Sequence, residues 1–109
     1  MAIWAADRGV DILEIYNAHA ISLPLEFVTD PSTSSMWSDM GENAYNFENE
    51  AMALNSHTYS INPDSFITDE SFGSFYRLTS ISYEPGNTPA DARPFTATME
   101  AKDYPFFGT

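Results

Sequence analysis

The chemistry available to this chain of 109 residues is set by two histidines, sixteen carboxylates and the absence of cysteine. His57 lies in Leu54-Asn55-Ser56-His57-Thr58-Tyr59-Ser60, which reads as the exit of a strand over residues 52–54. Loops at strand ends gather binding residues in open α/β sheets. A histidine in such a place also serves simply by bonding to nearby backbone, and the residues alone leave both readings open. His19, in Tyr16-Asn17-Ala18-His19-Ala20, has no charge partner close in sequence and reads as a surface or strand-edge histidine. The two histidines are too far apart for a local metal motif, and no His-Glu-x-x-His pattern occurs. Neither a metal nor a cofactor is expected. Without cysteine there is no disulfide, no thiolate-ligated zinc and no thiol nucleophile on these residues.

Acid pairs such as Glu48/Glu50 and Asp69/Glu70 have the residue types of a glycosidase. Among sixteen carboxylates such pairs arise by chance, so they carry little. Gly-x-Ser-x-Gly is absent, and five glycines form no phosphate-binding loop. Glu84, Asp91 and Arg93 lie in or beside a Pro/Gly-rich stretch and read as solvated. Glu100 and Lys102 read as part of a tight charged turn between two strands.

Sixteen acidic against four basic residues give a net charge of −12. No basic stripe is present to displace counterions from phosphates, which argues against nucleic-acid binding. The scattered acidic residues read as a solvated surface. A hydrophobic fraction of 43% with 15% aromatics argues against disorder. No stretch approaches the roughly 20 apolar residues that span a bilayer.

The elements that must position these side chains follow from local pattern. Residues 2–8 read as the last turns of a helix stopped by Gly9, with no N-cap before them. Residues 10–15 and 20–28 alternate as strands, the second interrupted by Pro24, which belongs at an edge or bulge. Asp30-Pro31-Ser32-Thr33-Ser34-Ser35 turns into a short helix over 36–40, and residues 41–50 add another helical turn or two. Asn62-Pro63-Asp64 is a turn, and Thr68-Asp69-Glu70 caps a short helix ending at Phe75. Leu78-Thr79-Ser80-Ile81-Ser82-Tyr83 is the best strand signal, with 84–94 as a loop and 95–99 as its hairpin partner. Phe106-Phe107-Gly108 begins another strand, apolar and without an evident place to pack. The order of elements predicts a mixed α/β layer structure, with a two-layer α+β domain as the alternative.

Thr98-Met99-Glu100-Ala101-Lys102-Asp103-Tyr104-Pro105, followed by Gly108, resembles the approach to the catalytic histidine of γ-glutamyl hydrolases, relatives of the class I glutamine amidotransferases. Leu23-Pro24-Leu25-Glu26-Phe27, within residues 17–27, adds a second match. The resemblance covers nearly the whole chain, least well over 84–93. It implies a partial class I glutamine amidotransferase-like (flavodoxin-like) three-layer α/β fold, a mixed sheet with short helices. Residues 1–109 would be an incomplete C-terminal part of one such domain. It also implies that His57 contacts substrate, with Asn55, Ser56 and Tyr59 shaping the same loop.

In the family a cysteine on a strand-to-helix turn attacks the γ-linked amide of a poly-γ-glutamate tail, commonly on a folate. A His-Pro-Glu triplet supplies the base and its partner. By resemblance the cysteine would precede Met1 and the triplet would follow Thr109. The expectation is therefore a segment lying between nucleophile and base and inactive alone. A lysosomal, vacuolar or secreted location is implied, with folyl-polyglutamate as substrate and no cofactor. The alternatives are a non-catalytic acidic binding domain that keeps the fold remnant, and an amidotransferase-like relative outside the γ-glutamyl type.

Overall fold

Pro24 divides the molecule into two sheets. In the computed structural model, which describes residues 12–85 and 92–108, strand β1 (Leu13–Leu23) stops just before this proline. The chain then restarts as β2 (Glu26–Phe27) in the other sheet. Proline has no N–H to donate, so the ladder ends there. Its carbonyl accepts from the Ser82 hydroxyl at 2.9 Å, which ties the crossing point to the second sheet. The helix expected over residues 2–8 and the tip of the loop at 86–91 lie outside the described residues.

β1 pairs antiparallel with β3 (Ala53–Ile61) in a two-stranded ribbon. The second sheet runs β2, β4 (Tyr76–Tyr83), β5 (Pro94–Ala101), β6 (Phe107–Gly108), again antiparallel throughout. Short helices complete a mixed α/β domain: α1 (Asn46–Asn49), α2 (Ser65–Thr68) and α3 (Glu70–Phe75). Two 3-10 stretches, Pro31–Thr33 and Ser38–Tyr45, precede α1, the second kinked at Gly41 with φ +56°. Parallel neighbours need a crossover of a dozen or more residues, usually helical. The described α-helices reach at most six residues, and every described strand pair is antiparallel. No parallel pair of a mixed sheet is therefore among them.

β5 organises the core. Phe95, Ala97 and Met99 each belong to a different apolar cluster, with Tyr16 and Ala18, with Leu25 and Trp37, and with Ile12, Ile61 and Phe72. The intervening positions are buried as well but polar. The Thr98 hydroxyl lies 2.7 Å from that of Thr79 and 2.6 Å from that of Ser80. A buried hydroxyl without a partner is costly, so the bonds that Thr98 makes to Thr79 and Ser80 favour this β4–β5 register, whereas the Thr96 hydroxyl has no partner among the described residues. The register slips twice and recovers. Thr79 is extra between the pairs Leu78–Met99 and Ser80–Thr98, and Ala97 is extra before the pair Ile81–Thr96.

Several expectations change here. Residues 10–15 and 20–28 were expected as separate strands, but their described parts form one β1 as far as Leu23. Two bulges in β1 disrupt its period-two pattern, which hid the continuity. Of residues 36–40, expected as a short helix, Ser38–Met40 open a 3-10 stretch and Met36 and Trp37 form a turn before it. Glu84 and Arg93 are not merely solvated, because they clasp the neck of the loop. Arg93 pairs with Glu84 at 3.3 Å and lies 4.0 Å above the Tyr16 ring. Glu84 also accepts the Asn17 N–H at 2.8 Å, and that bond, then Arg93, holds its carboxyl below the usual carboxylate range despite some burial.

Asp69 caps α3 as read from sequence, its carboxylate accepting the Phe72 N–H at 3.1 Å. Four residues after Asp69, Gly73 is required by close approach. A Cβ built there would meet the Phe66 carbonyl oxygen at 1.9 Å. Backbone cannot move aside as a flexible side chain can. Gly73→Ala should therefore lower stability by about 1–3 kcal/mol, read as a reduced denaturation midpoint in urea with unchanged slope.

Candidate functional site

His57 sits in the middle of β3, opposite Ala18 of β1, and not at a strand exit. A bulge in β1 lies on each side of that pair. Between Ile15 and Ala18, and again between Ala18 and Ile21, three positions of β1 are spanned against two of β3. Ala20, in the second bulge, has φ +54°, a left-handed conformation that costs an alanine on the order of 1 kcal/mol. Bulges re-aim side chains and recur beside functional sites.

On the strand, Asn55 and His57 share a face by alternation. The His57 Nε2 lies 3.3 Å from the Asn55 Oδ1, and the Asn55 amide donates to the Ala53 carbonyl at 3.1 Å. Asn55 thus accepts on one atom and donates on the other. That arrangement places a hydrogen on Nε2, and in the neutral ring Nδ1 is then the accepting nitrogen. Nδ1 is buried and has no protein partner among the described residues. The ring packs edge-on to Phe95 with centroids 5.7 Å apart.

Asn55, Ser56 and His57 line one pocket of about 390 Å³. Its apolar walls come from Leu25, Met36, Trp37, Phe47 and the bulge residue Ala97. The volume falls within the roughly 300–1,000 Å³ of small-molecule sites, and an apolar lining with few polar groups is their usual make-up. Trp37 is held edge-on between Phe27 and Phe47, at 5.3 and 5.2 Å between centroids.

The segment carrying Met36 and Trp37 is fixed from below by Glu100. The Asp30 carboxylate first turns the chain by accepting the Ser32 N–H at 2.9 Å. The Ser34 hydroxyl then donates to Glu100 Oε2 at 2.9 Å and accepts the Met36 and Trp37 N–H groups at 3.2 and 3.3 Å. Glu100 also accepts the Met36 N–H and pairs with Arg77. Burial pushes the Glu100 carboxyl up, but the hydrogen bonds from Arg77, Ser34 and Met36 outweigh it, and the net direction is down.

The structure brings together three of the four residues expected to form the site. Tyr59 does not line the pocket and is 58% exposed. His19 is exposed on β1, whose described partner is β3 alone. Glu100, expected in a charged turn, lies in β5 and is 2% exposed. Its partner Arg77 sits directly across on β4, so the charge is retained inside because it is paired. Trp37, Met36 and Leu25 went unread as site residues. The available signals are the serine-rich turn before Trp37 and a lone cation, Arg77, just before the best strand pattern, which calls for an anion beside it. Among the described residues no three His, Cys, Asp or Glu side chains are grouped to hold a metal.

The chain is similar to γ-glutamyl hydrolase B of Dictyostelium discoideum, 25% identical over 101 residues that cover 92% of this chain and 28% of that protein. It is also similar to the γ-glutamyl hydrolase of Rattus norvegicus, 26% identical over 98 residues that cover 89% of this chain and 29% of that protein. The chain thus spans under a third of the length of these curated relatives. No family model matches it.

Proposed function

We propose that this chain is part of a γ-glutamyl hydrolase, which cleaves γ-glutamyl bonds of poly-γ-glutamates, including folate-linked ones, through a cysteine thiolate. The observation that carries this reading is the convergence of Asn55, Ser56 and His57 on one apolar-walled pocket. The distant likeness to two proteins of that name supports it. In this reading the three polar residues contact substrate. In its neutral form His57 accepts a hydrogen bond from a substrate amide on Nδ1 after a small ring adjustment, and Trp37 and Phe47 exclude water from it. Tyr59 shapes the approach from outside the pocket.

The 109 residues hold no cysteine, so the thiol comes from polypeptide outside them, and alone they cleave no γ-glutamyl bond. They form the C-terminal part of a three-layer amidotransferase-like domain whose parallel strands lie elsewhere. A lysosomal, vacuolar or secreted location belongs to the same reading.

The coding DNA on either side tests it. The expected frame encodes Gly-x-Cys-x-Gly upstream and His-Pro-Glu downstream, and a frame with neither contradicts the proposal. In the protein made from that longer frame, His57→Ala should lower kcat/KM by about tenfold, the worth of one neutral hydrogen bond at the upper end of its range.

A further inference from the structure

A net charge of −12 repels anions, so any anionic ligand of this chain needs a local excess of cations. The chain has four cations in all. Arg8 lies outside the described residues, and Arg93 is engaged by Glu84, the Ile15 carbonyl and the Tyr16 ring. The other two, Arg77 and Lys102, line one cleft of about 350 Å³ with Thr33, Ser35, Glu100 and Ala101. This cleft is separate from the His57 pocket, with which it shares no lining residue.

The hairpin register explains the pairing of cations. Arg77 stands opposite Glu100, and the Lys102 N–H bonds to the Phe75 carbonyl at 2.9 Å. Arg77 and Lys102 are therefore diagonal neighbours across the two strands, about 7–8 Å apart at the backbone and within reach of one small ligand. Arg77 uses one terminal nitrogen for both Glu100 and the Thr33 carbonyl. Its remaining N–H groups have no partner among the described residues, and Lys102 makes no ion pair among them. The guanidinium is thus held in place with donors left without a partner among the described residues, and the exposed Lys102 lines the same cleft.

We propose that this cleft binds a carboxylate. Arg77, Lys102 and Glu100 together leave one positive charge, which a carboxylate cancels. A phosphate dianion would add uncompensated charge next to Glu100, so the balance favours the carboxylate. Arg77 offers it a planar pair of donors, Lys102 a point charge and Ser35 a hydroxyl. Under the γ-glutamyl reading the ligand is a free carboxylate of the glutamate tail, a clause that rests on that reading. The cleft itself does not depend on it.

The test is a titration of the chain with sodium glutarate at constant ionic strength, followed by NMR at the Arg77 Nε–H and the Lys102 Cε. Saturable shifts at both positions are expected, and in Lys102→Gln the Arg77 Nε–H shift should need about fivefold more glutarate to saturate, the worth of one exposed charge pair. Lys102 is exposed in a turn, so this variant should keep its melting temperature. A second variant, Arg77→Gln with Glu100→Gln, replaces the ion pair by neutral amides and should abolish the shift at the remaining reporter, Lys102 Cε, in folded protein. Absence of saturable shifts, or equal binding by Lys102→Gln, overturns the proposal. Tighter binding of inorganic phosphate than of glutarate overturns the choice of carboxylate. Glutarate binding without any response to γ-glutamyl oligomers would keep the cleft and remove the γ-glutamyl reading.

Discussion

Arg77→Met is expected to lower the stability of the chain by about 3–5 kcal/mol at neutral pH, the range for removing one partner of a buried ion pair. The side chain left behind decides the size. The Arg77 side chain is 33% exposed, but that of Glu100 only 3%, so the mutation strands the buried charge and not the solvated one. Ser34 and the Met36 N–H still reach the carboxylate, which keeps the loss within that range. Glu100→Gln should cost less, because the amide retains a partner for Ser34 without a buried charge.

The pH dependence has a definite sign. Glu100 is held below its ordinary value in the folded chain, so its contribution is fully present above the unfolded carboxyl pKa of about 4.3. It is lost as the pH falls through the lower folded value. The gap between the wild-type chain and Arg77→Met should therefore be widest near pH 7 and close on acidification. Urea denaturation at pH 7 and in acid measures both ends. A gap that is constant with pH would show that Glu100 is not the group responsible.

Phe95→Ala should cost about 3–5 kcal/mol, the range for a fully buried phenylalanine. Phe95 has 0% exposure and lies at ring distances of 5.6 Å from Tyr16 and 5.7 Å from His57. It therefore joins the core to the candidate site. Loss of the ring leaves a cavity under β1 and removes the edge contact that fixes the His57 imidazole. The His57 ring signals in an NMR spectrum should shift with the loss of stability. Phe95→Leu fills most of the volume and should recover much of the stability, but not the ring contact. Unchanged His57 signals in Phe95→Leu would argue that the imidazole is held by Asn55 alone.

The parts of the fold visible in the sequence are those set by neighbours along the chain. The β4–β5 hairpin announces itself through Thr79, Ile81 and Tyr83 and the prolines after them. Asp69 as a cap and Asn62-Pro63-Asp64 as a turn are equally local, and Asn62 indeed accepts the Asp64 N–H at 3.0 Å. β1 was seen only in pieces, because its bulges break the alternation on which a strand is recognised. Asn55 and Ser56 look like loop residues and so suggest a strand end at His57, yet both continue β3. The burial of Glu100 depends on Arg77, 23 positions away, and no local pattern reports such a pairing. For the same reason the pocket wall from Trp37 was not readable, since it faces β3 and β5 only after both sheets have formed.

The most direct measurement is an NMR titration of the isotopically labelled chain with γ-linked tetraglutamate, with α-linked tetraglutamate as the control of equal charge. The account predicts saturable shifts at Asn55, Ser56, His57 and Ala97 with the γ-linked oligomer, and much weaker ones with the α-linked. Equal shifts with both oligomers, or a response that leaves these four residues unmoved, would contradict it.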